Sequence, residues 1–209
     1  MVAASSSVVL LATCLGCGVA LYPVARAFGS PSEEELASCR TRLREMQGSL
    51  PTAKLTVHPP YMIRGSRGQW EPTATGSVVE ALRSRGFEDV GGTEALPAAP
   101  FQAPGHNQLR YTWQRAHAYA AWARGAQLGP GWHLFADFIV LGDQLAGIGI
   151  YVTDAEGNLA LVRILNSHHD EWKVVAQGLT ESGCAMLVDV LLRSLKIPAE
   201  RLYPPYGVG

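Results

Sequence analysis

Residues 132–165, WHLFADFIVLGDQLAGIGIYVTDAEGNLALVRIL, decide the fold class of this chain of 209 residues. Apolar runs rich in β-branched and aromatic residues cover 132–141, 147–153 and 159–165, and such runs are typical of β-strands. The linkers between these runs carry Gly, Asp and Asn, which is the composition of hairpin turns. The stretch therefore predicts an antiparallel β-meander with one buried face.

Stretches with helical periodicity lie on both sides of the meander in the chain. The predicted helices begin at a capping box of Ser32 and Glu35, begin again at a second capping box of Ser77 and Glu80, cover 107–127, and run from Ser182 to Leu195. A short strand at 54–57 separates the first two helices. Helices packed on one face of an antiparallel sheet form a two-layer sandwich, so the predicted fold class is α+β, preceded by an apolar leader helix.

The composition limits both the number of domains and the class of partner. Apolar residues make up 47% of the chain and charged residues 17%, which indicates a folded domain and excludes a disordered chain. The net charge is −1 and no basic stretch occurs, so nothing indicates a nucleic-acid-binding protein. The patterns predict a leader at 1–27, an amphipathic helix with its linker at 28–52, an α+β domain at 53–197 and a loose tail at 198–209.

The leader carries an export signal. No charged residue occurs before Arg26, and an apolar run ends at Pro23, which would break a helix. This run is followed by Ala25-Arg26-Ala27, in which two small residues flank a variable one. Signal peptidase accepts this arrangement at its cleavage site. The sequence therefore predicts a signal peptide cleaved after Ala27 and a protein exported to the periplasm or to the extracellular space.

Two other outcomes remain open for the leader. The segment 11–14, Leu-Ala-Thr-Cys, resembles a bacterial lipobox, in which case Cys14 would carry lipid and become the new amino terminus. The segment 8–28 is also long enough to span a bilayer as an uncleaved anchor. In both cases the chain would be tethered, and its membrane contact would be confined to the amino-terminal segment.

The densest polar cluster follows the last strand of the meander. His168, His169 and Asp170 carry metal-ligating groups, and together they could serve a small secreted hydrolase or metal-dependent enzyme. Adjacent residues of a strand point to opposite faces, however, so His168 and His169 grip one ion only if the backbone turns there. The pattern favours a structural interpretation, in which these residues form an exposed polar turn.

Other candidate residues have structural explanations. Cys39 and Cys184 are the two cysteines outside the leader, and they would pair in an oxidising compartment or stay as buried thiols on their helices. Asp137 shares a strand face with apolar residues and needs a partner, for which Arg163 and His133 are the candidates. A structural ion pair is expected there in preference to a catalytic acid.

The known cofactor motifs do not occur. Gly147-x-Gly149 lacks the third glycine of a dinucleotide fingerprint and leads into a strand, and the loop of Gly65 and Gly68 lacks the Lys-Ser/Thr ending of a phosphate loop. There is no G-x-S-x-G nucleophile elbow either. The sequence therefore predicts no cofactor.

The order strand, helix, long helix, meander and helix resembles small bacterial envelope α/β domains. These are typified by the amino-terminal domain of TolB and by the curli-secretion lipoprotein. The residues that carry the resemblance are Leu55-Thr56-Val57, Arg85-Gly86-Phe87, the Ala-Asp-aromatic strand at 136–142 and the Asp-x-x-Gly ending at 152–157. The resemblance covers residues 53–196. It implies a non-catalytic exported envelope protein that works through contacts with another envelope protein.

Overall fold

A computed structural model of the chain describes residues 31–97, 111–166, 169, 172 and 178–204. Within these residues, five helices and seven strands form one α+β domain with a mixed sheet. In chain order the elements are α1 Glu33–Ser49, β1 Leu55–Val57, β2 Tyr61–Arg64, β3 Arg67–Trp70, α2 Pro72–Ser84, β4 Val90–Gly92, α3 Thr112–Ala126, β5 Trp132–Leu141, β6 Gln144–Thr153, β7 Leu159–Asn166, α4 Leu179–Ser194 and α5 Ala199–Leu202.

The predicted meander is confirmed. Strands β5, β6 and β7 pair antiparallel in sequence order, with Leu134 opposite Val152 and Tyr151 opposite Val162. The two turns contain Gly142 at φ 60° and Gly157 at φ 75°, a left-handed conformation that glycine adopts without steric cost. The α+β class deduced from this stretch is therefore confirmed as well.

The sheet is mixed, and this corrects the antiparallel prediction. Strands β1 and β2 lie in line along the other edge of β5 and both run parallel to it, with Leu55 opposite Trp132 and Tyr61 opposite Asp137. The segment 58–60, His-Pro-Pro, separates them, and its prolines have no backbone N–H to donate to a sheet. Strand β4 then pairs parallel to β1, and β3 pairs antiparallel to β2.

Helices lie on both faces of the sheet, so the predicted two-layer sandwich with helices on one face is wrong. Helices α1, α2 and α4 share a core cluster with Leu134 and Phe138, whereas α3 packs with Phe135 and Tyr151 on the opposite face. The connection from β1 to β4 and the connection from β4 to β5 cross the sheet in opposite directions. Because parallel crossovers are right-handed, their helices α2 and α3 fall on opposite faces.

Of the two predicted capping boxes, one is present at the start of its helix and the other is not. The first capping box is confirmed: Ser32 Oγ accepts the N–H of Glu35 at 3.1 Å, and the Glu35 carboxylate accepts the N–H of Ser32 at 2.7 Å. The second capping box is wrong, because α2 begins at Pro72 and Ser77 lies inside the helix. Proline is well suited to a first helical position because it needs no hydrogen-bond acceptor there.

The carboxy-terminal segment differs from its prediction as well. The segment 198–204, predicted as part of a loose tail, contains α5 and the buried Tyr203, whose hydroxyl accepts the backbone N–H of Val162 at 2.6 Å. The predicted leader at 1–27 lies outside the described residues. Among the helices that are described, none is long and apolar enough to cross a membrane.

Gly149 of β6 makes room for a large side chain. Gly149 lies opposite Asp137, and the ring of Tyr151 extends back along the strand over it. A Cβ atom at position 149 would lie only 2.6 Å from the Tyr151 hydroxyl oxygen. In the Gly147-x-Gly149 pattern, Gly149 therefore serves packing.

We expect Gly149→Ala to lower the free energy of unfolding by about 1–3 kcal/mol, because the added methyl group displaces a buried tyrosine. Gly76→Ala is the matched control, since Gly76 is exposed in α2 and a Cβ there meets nothing within 4 Å. That substitution should be neutral or stabilise by up to about 1 kcal/mol. Urea unfolding of both variants measures the difference, and equal stabilities would contradict the proposed packing.

Candidate functional site

A charged pair is buried between α3 and the sheet. Arg115 projects from α3 and Asp137 from β5, and both side chains are 0% exposed. The Arg115 Nε atom lies 2.7 Å from Asp137 Oδ2. A carboxylate removed from water in this way is tolerated only when hydrogen bonds replace those that it made to solvent.

Two tyrosines complete the hydrogen bonding of this carboxylate. The Tyr119 hydroxyl donates to Asp137 Oδ1 at 2.7 Å, and the Tyr151 hydroxyl donates to Oδ2 at 2.8 Å. Arg115 Nε also lies 3.2 Å from the Tyr151 hydroxyl oxygen. We call Arg115, Tyr119, Asp137 and Tyr151 the Asp137 cluster. Both oxygens of its carboxylate have donors, as buried charges require.

The helix and sheet registers place these four groups together. Arg115 and Tyr119 are four residues apart and therefore occupy the same side of α3. The structural ion pair expected for Asp137 is present, but its partner is Arg115 and not Arg163 or His133. Arg163 projects from the opposite face of the sheet, where it donates to Ser194 Oγ at 2.9 Å. The positions of apolar residues along the sequence do not identify Arg115, because an arginine on a helix is ordinarily assigned to the side that faces solvent.

The electrostatics of the Asp137 cluster keep its protons in place. Burial, and then the nearby Asp137 carboxylate, raise the pKa values of Tyr119 and Tyr151 well above the ordinary tyrosine value. Burial by itself would lower the pKa of Arg115, but Tyr151 and Asp137 outweigh it and the pKa is raised. The tyrosines therefore stay neutral and the arginine stays charged at any physiological pH. A group with this geometry stabilises the domain and orients the elements that carry it.

A second buried polar group lies next to this cluster, and we call it the histidine pair. His58 Nε2 is 3.3 Å from His133 Nδ1, and His133 Nε2 is 2.9 Å from the carbonyl oxygen of Gly129. His58 Nδ1 is 3.4 Å from the carbonyl oxygen of Ala95. The ring of His58 also stacks on Phe135 with centroids 4.3 Å apart.

The histidine pair has one proton too few when both rings are neutral. Two neutral imidazoles carry two N–H groups, but the chain from Ala95 through both rings to Gly129 contains three contacts that need one each. One of the three contacts is therefore left without a proton. Burial lowers the pKa of His58 from 6.5 to about 4 and also lowers the pKa of His133. The pair is therefore neutral at neutral pH.

The predicted metal ligands are only partly described. His169 is exposed, and its Nδ1 atom lies 2.9 Å from Asn166 Oδ1, in a turn that its own N–H closes by donating to the Asn166 carbonyl oxygen. His168 and Asp170 lie outside the described residues. Within the described part of the chain, no group of three His, Cys, Asp or Glu residues is arranged to hold a metal ion.

The two cysteines of the domain are buried free thiols in the structure. Cys184 has its sulfur 3.7 Å from the carbonyl oxygen of Ala74 in α2, whereas Cys39 lines a cavity of about 170 Å³ with Trp113 and His117. Burial raises the pKa of Cys39 to about 12 and that of Cys184 to about 11, so neither thiol is reactive at neutral pH. The proposed lipidation site, Cys14, lies outside the described residues.

No protein-family model, curated protein or solved structure matches this chain. The resemblance to envelope domains of the TolB and curli-secretion type therefore stays a prediction from sequence.

We expect Arg115→Met to lower the free energy of unfolding by about 3–5 kcal/mol, because it leaves the Asp137 charge buried without its counter-ion. Combining it with Asp137→Leu should cost less than the sum of the two single variants, since an apolar pair removes both charges. Arg163→Met, on the other face of the sheet, is the control and should cost less than Arg115→Met. Denaturant unfolding of the four variants tests this, and strictly additive losses would show that Arg115 and Asp137 are not coupled.

The histidine pair predicts a pH dependence of stability. The pKa of His58 falls from 6.5 in the unfolded chain to about 4 in the folded protein. The contribution of neutral His58 to the free energy of unfolding is therefore complete above pH 6.5 and is lost as the pH drops toward 4. The loss should reach about 3 kcal/mol, and the lowered pKa of His133 adds in the same direction. The measurement is the free energy of unfolding across this range for the wild type, for His58→Gln and for the exposed control His169→Gln. The His58 variant should have the shallower pH slope, and the control should follow the wild type.

Proposed function

We propose that the chain is a non-catalytic exported protein of the cell envelope that acts by binding another protein. The observation that carries the proposal is the complete burial of the Asp137 cluster. Its charged pair is fully buried, and both oxygens of the carboxylate are already used by Arg115, Tyr119 and Tyr151. Such a group stabilises the domain, and the function is then carried by the protein surface.

Three features of the sequence support the same proposal. The leader at 1–27 provides a route out of the cytoplasm. The net charge of −1 gives no electrostatic preference for nucleic acid. The resemblance over 53–196 is to domains that work in the bacterial envelope through protein contacts.

One contact favours the alternative, a small secreted hydrolase or metal-dependent enzyme built on His168, His169 and Asp170. His169 Nδ1 lies 2.9 Å from the side-chain oxygen of Asn166 and 3.2 Å from its backbone nitrogen. Ligand histidines in metal sites are commonly oriented in this way by a hydrogen bond to the other ring nitrogen. The same contact also serves an ordinary turn, which is the simpler explanation.

We expect the full chain, expressed in its source organism, to be recovered from the envelope fraction with its leader trimmed after Ala27, and to cross-link there to a second protein. Intact-mass analysis measures the trimming, and cross-linking followed by mass spectrometry identifies the partner. An untrimmed chain, or a chain that begins at an acylated Cys14, would contradict the cleavage and leave a tethered protein. A chain confined to the cytoplasm would overturn the proposal.

The alternative is separated by thermal unfolding with and without a chelator. For the non-catalytic protein, His168→Ala combined with His169→Ala should change the free energy of unfolding by no more than about 0.5 kcal/mol. The chelator should then affect neither the wild type nor the variant. A wild type that loses several degrees to the chelator, beside an indifferent variant, would establish a bound ion and favour the metal-dependent enzyme.

A further inference from the structure

The outer edge of β3 pairs with no strand among the described residues, since β3 ends the sheet at that side. The hairpin turn consists of Gly65 and Ser66, with Gly65 at φ 59°, so Arg64 and Arg67 form the hydrogen-bonded pair next to the turn. The donation of the Glu71 N–H to the Pro60 carbonyl oxygen at 2.8 Å continues the same alternation. We call this the β3 edge.

This alternation determines which backbone groups face outward. In an antiparallel pair, every second residue turns its N–H and C=O toward the partner strand, and the residues between turn theirs away. Arg67 and Gln69 face β2, so Gly68 and Trp70 present their N–H and C=O groups along the β3 edge. A peptide in extended conformation can pair with such an edge and extend the sheet by one strand.

The side chains of the hairpin carry an unbalanced positive charge. Arg64 and Arg67 lie directly opposite each other on one face of the hairpin, and like charges in that arrangement destabilise a sheet. Asp143 lies 4.0 Å from Arg64 but is fully exposed, so it offsets little. No acidic side chain among the described residues forms an ion pair with Arg67. Arg64 also donates to the carbonyl oxygen of Gly142 at 3.2 Å, so fold stability explains Arg64 in part. It does not explain Arg67, whereas recognition of carboxylates accounts for both arginines.

The two faces of the hairpin differ in the chemistry that they offer a bound strand. Arg67 and Gln69 share a face with Met62, and together with Arg64 and Ser66 they line an open groove. The opposite face presents the half-buried Trp70, whose ring contacts Tyr61 with centroids 4.7 Å apart. A paired strand would thus meet arginine on one face and an aromatic ring on the other.

We propose that the β3 edge binds an extended segment of the partner protein whose side chains alternate between acidic and apolar. The acidic residues lie over Arg64 and Arg67, and the apolar residues lie beside Trp70. This inference rests on the proposed function, because it names the surface by which that partner is bound. A second copy of this chain is a poorer occupant, since two β3 edges would bring four arginines together.

The probes are short synthetic peptides added to the full chain. One alternates glutamate and valine, a second replaces glutamate by lysine, and a third is the first with alternate backbone amides N-methylated, which removes the strand-pairing donors. We expect only the first to bind. Arg67→Glu should weaken its binding at least about tenfold, or about 1.4 kcal/mol, whereas Arg85→Glu, an exposed arginine at the end of α2, should not.

Binding is measured by fluorescence anisotropy of labelled peptide, and thermal unfolding confirms that both variants are folded. Equal binding of the glutamate and lysine peptides, binding of the N-methylated peptide, or an Arg67→Glu variant that binds normally would each overturn the β3 edge as the site. So would a dimer of the chain that Arg67→Glu dissociates. If Arg67→Glu still cross-links to its partner in cells, the proposed function stands and the β3 edge is wrong. If the wild type itself has no cross-linked partner, the proposed function is wrong.

Discussion

The charge of Asp137 is buried at the centre of the sheet, and it constrains the structure around it. Asp137 lies between Tyr61 of β2 and Gly149 of β6, so β5 has a paired neighbour on both edges at this point. The backbone groups there are engaged in the sheet, and the carboxylate must be satisfied by side chains. Helix α3 supplies Arg115 and Tyr119, and the bare backbone of Gly149 admits Tyr151. One buried carboxylate thus explains an inward arginine, two inward hydroxyl groups and a glycine.

The cluster contributes more to specificity than to stability. Buried ion pairs often add nothing over an apolar pair of similar size, because the cost of removing both charges from water offsets their attraction. Arg115 and Tyr119, however, reach two oxygens of the same carboxylate from successive turns of α3. Sliding the helix by one residue rotates these side chains by about 100° and breaks both contacts. The cluster therefore selects one position of α3 on its face of the sheet, where alanine-rich packing would tolerate several.

The sequence predicts what is encoded locally and fails where distant segments meet. The meander and the Ser32 capping box depend on neighbours in the chain, and both are present. Strand β4 has only three residues, and two of them are glycine, so no strand pattern marks it. Without β4 the parallel crossovers are invisible, and with them the reason that α3 lies on its own face. Asp137 could be identified as needing a partner from its strand face alone, but Arg115 could be identified only once α3 had been placed.

The edges of the sheet differ in how they are protected from pairing with another chain, and this difference bears on function. At the β7 edge, the Tyr203 hydroxyl occupies the N–H of Val162, and α1 packs against the strand. The β4 edge is three residues long, which is too short to template another chain. The β3 edge has neither protection: it belongs to a hairpin with two opposed arginines, and its outward backbone groups meet no other described strand. An exposed edge invites aggregation unless it is charged or occupied. In the free protein, the arginines supply the charge that protects the β3 edge. The same positive charge selects an acidic strand as the occupant of that edge.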